Sequence, residues 1–215
     1  MKHLLMKEWR LALHPAAAMF WLCSAMVLIP GYPYGVIFFY TGLGLFFICL
    51  TSREERDLYF TLGLPVRKRD VAHARILFAV QIELIQLALL PPFMALRAAL
   101  GLPPNPVGMD ANLALTGNGL LLLGVYNAVF FPIWFRAPQR VGRAFLAGSA
   151  AFFVLEAALE ALAHAAPFVR ERLDTPDPLF LGDKLIYTAI CAAGFAVLTG
   201  FALRRAGRAF ERLDL

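Results

Sequence analysis

From Leu11 to Ser52 the chain contains no Asp, Glu, Lys or Arg. A transmembrane helix needs about 20 apolar residues to cross a hydrocarbon core of about 30 Å. This segment is therefore too long for one crossing and long enough for two. Pro30-Gly31-Tyr32-Pro33 lies near its centre, and proline and glycine end helices and favour turns. The segment predicts two membrane-spanning helices joined by a short turn.

The composition indicates a membrane protein and argues against other classes. Hydrophobic residues make up 60% of the 215 residues and charged residues only 16%, against about 45–50% and about 25% in an average soluble domain. Such a chain is too apolar to remain disordered in water. The net charge of +5 comes from cations that flank apolar runs, which is typical of membrane orientation, so no nucleic-acid partner is expected.

Further apolar runs predict four more crossings. The expected fold is an all-α membrane protein in which residues 1–215 form a single transmembrane domain. Residues 1–14 combine charge with apolar bulk and predict an interfacial helix that precedes the first crossing. Pro91-Pro92 predicts a kink or an end in the third crossing, and Pro132 a kink in the fourth. The six predicted spans are about 15–30, 33–50, 71–92, 114–135, 144–164 and 185–203.

The distribution of cationic residues orients these spans. With six crossings both termini lie on one side, and 16 of the 20 lysine and arginine residues fall on that side. Cytoplasmic loops carry an excess of Lys and Arg. Both termini are therefore expected in the cytoplasm.

The loop at 51–70 is the most informative polar stretch. Ser52 and Glu55 have the spacing of a capping box, which predicts that a helix starts there. Leu58 and Leu62 then lie four apart on one helical face, before Gly63 ends the helix. A solvated connecting loop would explain the charges, but an apolar face offered to the cytoplasm indicates a protein partner.

The same region carries a resemblance to a known family. Leu64-Pro65-Val66 is followed by the basic run Arg67-Lys68-Arg69, then by Asp70-Val71 and Ala74-Arg75. This order is similar to a pattern in the short six-span permeases of ABC exporters of the second type, above all the bacterial exporters of cytolytic peptides and peptide antibiotics. Gly63 stands where that pattern has serine. The motif covers about 25 residues, and outside it the likeness is one of hydropathy.

The resemblance implies a function and its partners. The loop between the second and third spans would form a cytoplasmic coupling helix that docks into a separate ATPase subunit. Two ATPase chains would bind ATP and Mg²⁺, and a second permease chain, identical or homologous, would complete the exporter. The substrate would be an amphipathic peptide, lipid or drug, and the location a bacterial inner or plasma membrane. The implied coupling residues are Glu54, Glu55, Asp57, Leu58, Tyr59, Phe60, Leu62 and Leu64.

The chain itself carries no motif for ATP hydrolysis. A P-loop requires Gly-Lys-Ser/Thr, and none of the four lysines follows a glycine. There is also no G-x-S-x-G and no H-E-x-x-H sequence. We therefore expect a transport subunit that is not itself an enzyme and holds no cofactor of its own.

Among the polar residues inside the predicted spans, the candidates for a functional role are Glu83, Gln86, Glu156 and Glu160. A mid-membrane carboxylate costs about 2.5–3.5 kcal/mol, so the two glutamates of the fifth span should turn away from lipid. The group is interpreted either as a polar lining of the translocation path or as neutral carboxyls in interhelical hydrogen bonds. A metal site that adds His164 is disfavoured, because the spacings differ from those of di-iron bundles.

Two other functions remain open from the sequence. A proton-coupled secondary transporter would use Glu83 and Glu156 as relay groups, because ionisable residues inside membranes often mark such paths. A scaffold or assembly factor that transports nothing is the third possibility.

Overall fold

A computed structural model describes residues 1–213. About 80% of the protein is helical, and residues 1–213 contain no strand. A short 3₁₀ turn precedes α7 and a π-helical turn at Val169–Leu173 follows it. The helices are α1 (Lys2–Ala12), α2 (Pro15–Leu28), α3 (Gly35–Glu54), α4 (Asp57–Leu62), α5 (Lys68–Ala99), α6 (Leu113–Trp134), α7 (Val141–Ala165) and α8 (Leu181–Glu211).

The helices have the lengths and composition expected of a multi-pass membrane protein. Five of them (α3, α5, α6, α7 and α8) are long and apolar enough to cross a membrane. The pair α1 and α2 makes a sixth candidate, bent by 90° between its two members. The predicted all-helical class with several membrane-spanning helices is confirmed.

The bend between α1 and α2 follows from His14 and Pro15. A residue before proline is pushed out of the helical region, and His14 is extended, with φ −78° and ψ 136°. Its Nδ1 atom accepts a hydrogen bond from the backbone N–H of Ala16 at 3.1 Å and so caps α2. The second half of α2, Trp21–Leu28, is a 3₁₀-helix. Since a 3₁₀-helix rises about 2.0 Å per residue against about 1.5 Å in an α-helix, α2 is about 25 Å long.

The third predicted span is longer than expected. The sequence predicts a kink or an end at Pro91-Pro92, but α5 continues through both prolines to Ala99, so an end there is wrong. Beyond the prolines, the buried Arg97 donates hydrogen bonds to Val27 O at 2.8 Å and Tyr34 Oη at 2.7 Å. These contacts hold the last turns of α5 against α2 and the start of α3.

The predicted capping box at Ser52 is also wrong. Ser52 lies inside α3, which continues to Glu54, and the next helix begins only at Asp57. The Ser52 hydroxyl donates to Oδ2 of Asp57 at 3.2 Å and is not a cap. Arg56, in the left-handed region with φ 53° and ψ 32°, interrupts the helical backbone between α3 and α4.

Helix α6 forms the centre of the bundle. In its most apolar stretch 67% of the residues are buried, against 11% in the corresponding stretch of α7. The Tyr126 hydroxyl donates to Gly42 O of α3 at 2.9 Å, and Gly148 of α7 packs on the same ring. A Cβ atom on Gly119 would lie 2.3 Å from the ring of Phe38. Helices α3 and α7 therefore approach α6 where glycine leaves room for an aromatic ring.

This packing predicts opposite effects for two glycine substitutions. Gly119→Ala would push a methyl group into the fully buried Phe38, and overpacking of this kind costs about 1–3 kcal/mol. We expect a lower midpoint of thermal unfolding in detergent, measured by the loss of helical circular dichroism.

Gly200→Ala is the matched control. Gly200 is also inside a helix, and a Cβ atom added there would meet no atom within 4 Å. Alanine is favoured over glycine in a helix by up to about 1 kcal/mol, so this variant should be as stable as the wild type or more so. A Gly119→Ala protein as stable as Gly200→Ala would contradict the packing described for α6.

Candidate functional site

Helix α4 presents aromatic side chains away from the bundle. Tyr59 is 44% exposed, Phe60 67% and Leu64, just after the helix, 46%. These three residues are called the α4 patch. On the opposite side of α4, Leu58 and Thr61 are buried. Large exposed apolar groups in one place are typical of an interaction surface.

The apolar face predicted from the sequence is therefore not the one exposed. Leu58, placed with Leu62 on a face offered to a partner, is only 5% exposed and belongs to the hydrophobic core. Leu62 is partly buried and packs against that core. The short helix uses this face to attach itself to the bundle, and so Tyr59 and Phe60 point outward.

A cleft lies directly beside the patch. It has a volume of about 480 Å³ and is lined by Arg53, Arg56, Tyr59 and Gln139. Gln139 donates a hydrogen bond to the Tyr59 hydroxyl at 3.3 Å, which joins α4 to the turn before α7. Of the predicted coupling residues, Glu54 and Glu55 are exposed on the α3 side of this region, with Arg53 3.4 Å from Glu54.

Asp57 points in the opposite direction, into a group of charged side chains. Oδ1 of Asp57 lies 2.5 Å from Nζ of Lys7, and Oδ2 lies 2.6 Å from Nη2 of Arg75. Nε of Arg75 lies 2.6 Å from Oε2 of Glu8. The other carboxylate oxygen of Glu8, Oε1, lies 3.3 Å from Nζ of Lys7. We call Lys7, Glu8, Asp57 and Arg75 the ionic cluster. It joins α1, α4 and α5.

The cluster is buried and electrically balanced. Arg75 and Glu8 are each 1% exposed, and two cations face two carboxylates. The guanidinium also lies over the ring of Trp134, with 5.7 Å between its central carbon and the ring centroid. Because a charge left unpaired in such a place costs about 3–5 kcal/mol, the four side chains fix the position of α4 relative to α1 and α5.

The cluster changes the acidity of Asp57. Burial by itself would raise the pKa of its carboxyl group, but the charges and hydrogen bonds of Arg75 and Lys7 outweigh that effect. The pKa of Asp57 is consequently lowered below its ordinary value. The folded state therefore favours the ionised form of the Asp57 carboxyl group.

Polar residues inside the bundle form a second group. Asn127 Nδ2 donates to Oε2 of Glu83 at 2.9 Å, and Gln86 Nε2 donates to the hydroxyl of Ser24 at 2.7 Å. Glu83 and Gln86 are fully buried. Their Oε1 atoms and Oδ1 of Asn127 have no hydrogen-bond partner in the part of the chain described. The structure therefore brings Glu83 and Gln86 into the interior between α2, α5 and α6.

The two glutamates of α7 lie elsewhere. Glu156 packs on Gly35 at the start of α3, and Glu160 packs on Gly108 of the loop before α6. A Cβ on either glycine would clash with the carboxylate, at 1.4 Å and 2.7 Å from Oε1 respectively. Both side chains are partly buried, as expected for carboxylates turned from lipid. Among residues 1–213 no group of three or more His, Cys, Asp or Glu side chains is arranged to hold a metal ion.

The sequence alone does not reveal the partners of Asp57. In the sequence, Lys7 and Arg75 count as orientation signals and Arg75 also stands in the motif that carries the family resemblance, but neither they nor Glu8 is predicted to form an ion pair. The signal for Arg75 is its position inside an otherwise apolar stretch of α5, where a cation needs a carboxylate. Lys184 is a similar case at the other end of the bundle, fully buried and 2.7 Å from Oδ1 of Asp177.

Comparisons with protein families, with curated proteins and with solved structures found no match. The functional argument therefore rests on the α4 patch, the ionic cluster and the buried polar groups.

The lowered pKa of Asp57 predicts a pH-dependent contribution to stability. At neutral pH, Asp57→Asn should lower the free energy of unfolding by about 3–5 kcal/mol, because Arg75 and Lys7 lose a charged partner. The wild-type advantage is complete above the unfolded-state pKa of about 3.9 and is lost as the pH falls through the lower folded-state pKa. Thermal unfolding of both proteins across this range measures the difference.

Glu54→Gln is the control, since Glu54 is an exposed acid of the same segment. At every pH the unfolding midpoint of Glu54→Gln should be nearly the same as that of the wild type. A difference between wild type and Asp57→Asn that stays constant from neutral to acidic pH would refute the assignment of an ionised, paired Asp57.

Proposed function

We propose that this chain is the permease subunit of an ATP-driven exporter and that a separate ATPase subunit docks on α4. The single observation that carries the proposal is the combination of an exposed aromatic patch and a buried ionic cluster on opposite sides of one short helix. In the proposed topology the chain crosses the membrane six times, with α1 at the interface and both termini in the cytoplasm.

The cationic residues support this orientation of α4. It joins two spans on the side that carries 16 of the 20 lysine and arginine residues, and that side is expected to be cytoplasmic. In this topology the exposed rings of Tyr59 and Phe60 face the cytoplasm and are not covered by lipid. Aromatic anchors flanked by arginine are the composition enriched at protein–protein interfaces, and Tyr59 lies beside Arg53 and Arg56.

The ionic cluster supplies the mechanical connection. Asp57 is the first residue of α4 and follows Arg56, which has a left-handed backbone conformation. Its carboxylate is paired with Arg75, which lies about two turns into α5. A force applied to the α4 patch would therefore reach α5 through a charge-assisted contact of 2.6 Å. It would reach α1 through Lys7. Movement of α4 is thereby transmitted to the spans as a displacement of packed helices.

The remaining components are assigned to other chains. With no P-loop in this sequence, ATP and Mg²⁺ would be bound by two ATPase subunits. A second permease chain, identical or homologous, would form the other half of the path. The polar interior at Glu83, Gln86 and Asn127 and the glutamates of α7 would line the route of an amphipathic substrate.

The proposal predicts that the Phe60→Asp variant no longer binds the ATPase subunit. When this chain is affinity-purified from the membranes of the organism that encodes it, the variant should fail to retain the ABC ATPase expected to co-purify with the wild type, because a carboxylate would replace the most exposed aromatic anchor. The variant should still insert into the membrane and unfold at the wild-type temperature, since two thirds of the Phe60 surface is already exposed, at 67%.

Gly142→Asp is the control. It adds a carboxylate on the same predicted side, in the first turn of α7, where space is open and an acid suits the helix N-terminus. It should retain the ATPase. The proposal fails if Phe60→Asp also retains the ATPase, or if the wild-type chain co-purifies with no ATP-binding protein.

The buried Glu83 supports one other candidate, a proton-coupled transporter. Its Oε1 atom lacks a partner in the described structure, and an intramembrane carboxyl is a potential proton-binding group. If vesicles that contain this chain alone expelled the cationic dye ethidium in response to a pH gradient, the transporter would be favoured over the exporter. That activity should be absent in Glu83→Gln and retained in Glu54→Gln.

A further inference from the structure

One face of α8 changes from apolar to basic along its length. Ile190, Val197 and Phe201 are 66%, 73% and 45% exposed and lie at helical spacings of seven and four. The same face continues with three arginines, Arg205, Arg208 and Arg212, all exposed. At 3.6 residues per turn these six residues fall within one stripe, which we call the α8 stripe.

The basic end of the stripe forms one wall of a cleft. Arg136, which follows α6, faces the three arginines of α8 across a volume of about 360 Å³. Ala209 and Leu213 complete the lining, and within the described residues no Asp or Glu contributes to it. The guanidinium of Arg205 lies over the Phe201 ring at 5.2 Å from its centroid. The cleft therefore begins where the apolar part of the stripe ends.

The dimensions of the stripe match one leaflet of a membrane. Ile190 and Phe201 are separated by a helical rise of about 16 Å, and half of a hydrocarbon core is about 15 Å. An acyl chain placed along the apolar part would bring its phosphate to the level of Arg205 and Arg208. Arginine binds phosphate through paired, charge-assisted hydrogen bonds.

We propose that the cleft binds the phosphate of an anionic phospholipid whose acyl chain lies along the α8 stripe. General attraction of cations to an anionic surface requires only that they lie near the headgroups. The cleft adds convergence, because three arginines of α8 and Arg136, just after the end of α6, line one volume. A lipid bearing a net negative charge is thereby selected over a zwitterionic one.

The test compares lipid retention by variants that differ in a single charge. Protein is reconstituted in vesicles of equal parts phosphatidylcholine and phosphatidylglycerol, extracted in mild detergent, and examined by native mass spectrometry. The ratio of retained phosphatidylglycerol to phosphatidylcholine is the readout. Ala209→Glu places a carboxylate in the cleft and Ala209→Gln an uncharged group of the same shape. The ratio should fall at least about fivefold in Ala209→Glu, the effect of one charge at such a surface, and remain near wild type in Ala209→Gln.

A second pair of variants covers the case in which residue 209 does not tolerate either side chain. Arg205→Gln with Arg208→Gln removes two exposed guanidinium groups and should lower the ratio further. Arg140→Gln with Arg143→Gln removes two exposed arginines of the same membrane side, outside the cleft, and should leave the ratio unchanged.

Three results would overturn the proposal. The first is a wild-type protein without preference for phosphatidylglycerol. The second is an equal loss of preference in both arginine pairs, which would indicate diffuse attraction without a site. The third is a preference for phosphatidylglycerol that survives in Ala209→Glu and in the Arg205→Gln, Arg208→Gln pair while these variants lose binding of inorganic phosphate, which would identify the occupant as a free anion.

Discussion

The contact between Arg75 and Asp57 determines where α4 can lie. A helix of six residues has little stability of its own in water, and α4 has no side-chain cap at its start. Its position comes from the paired charges on one side and from Leu58 in the core. Because Asp57 and Leu58 both point into the bundle, Tyr59 and Phe60 must point out. The exposed patch is thus a consequence of how the helix is attached.

The all-helical class and the presence of several helices long and apolar enough to cross a membrane could be predicted, because lipid imposes a length and an apolar composition on every crossing. The direction of α4 could not. Leu58 and Leu62 define a face by their spacing, but spacing does not say whether that face meets a partner or the protein itself. The capping box at Ser52 failed for a related reason, since Ser52 is a buried residue of α3, which continues past it to Glu54. Asp57 and Arg75, 18 positions apart, form a contact that only the fold creates.

For the intramembrane carboxylates, too, the energetic cost of insertion predicts that they are turned from lipid but does not predict which residues they contact. Two glutamates cancel much of the insertion energy of the fifth span, at about 2.5–3.5 kcal/mol each against about 0.3–0.6 kcal/mol gained per large apolar residue. This cost predicts that Glu156 and Glu160 turn inward. It does not identify Gly35 and Gly108, whose missing side chains create the space. Nor does it connect Glu83 with Asn127, which lies 44 positions away on α6.

Helix α5 is anchored near both ends by a buried arginine. Arg75 joins it to α4 at one end, and Arg97 joins it to α2 and Tyr34 at the other. Between them, Pro91 and Pro92 lack backbone N–H groups, so the carbonyls of Leu87 and Ala88 lose their partners in the helix. Glu83 and Gln86 lie on the Arg75 side of this weak point. A displacement that enters through Asp57 would therefore move the buried polar residues with it, while the prolines allow the Arg97 end to stay in place.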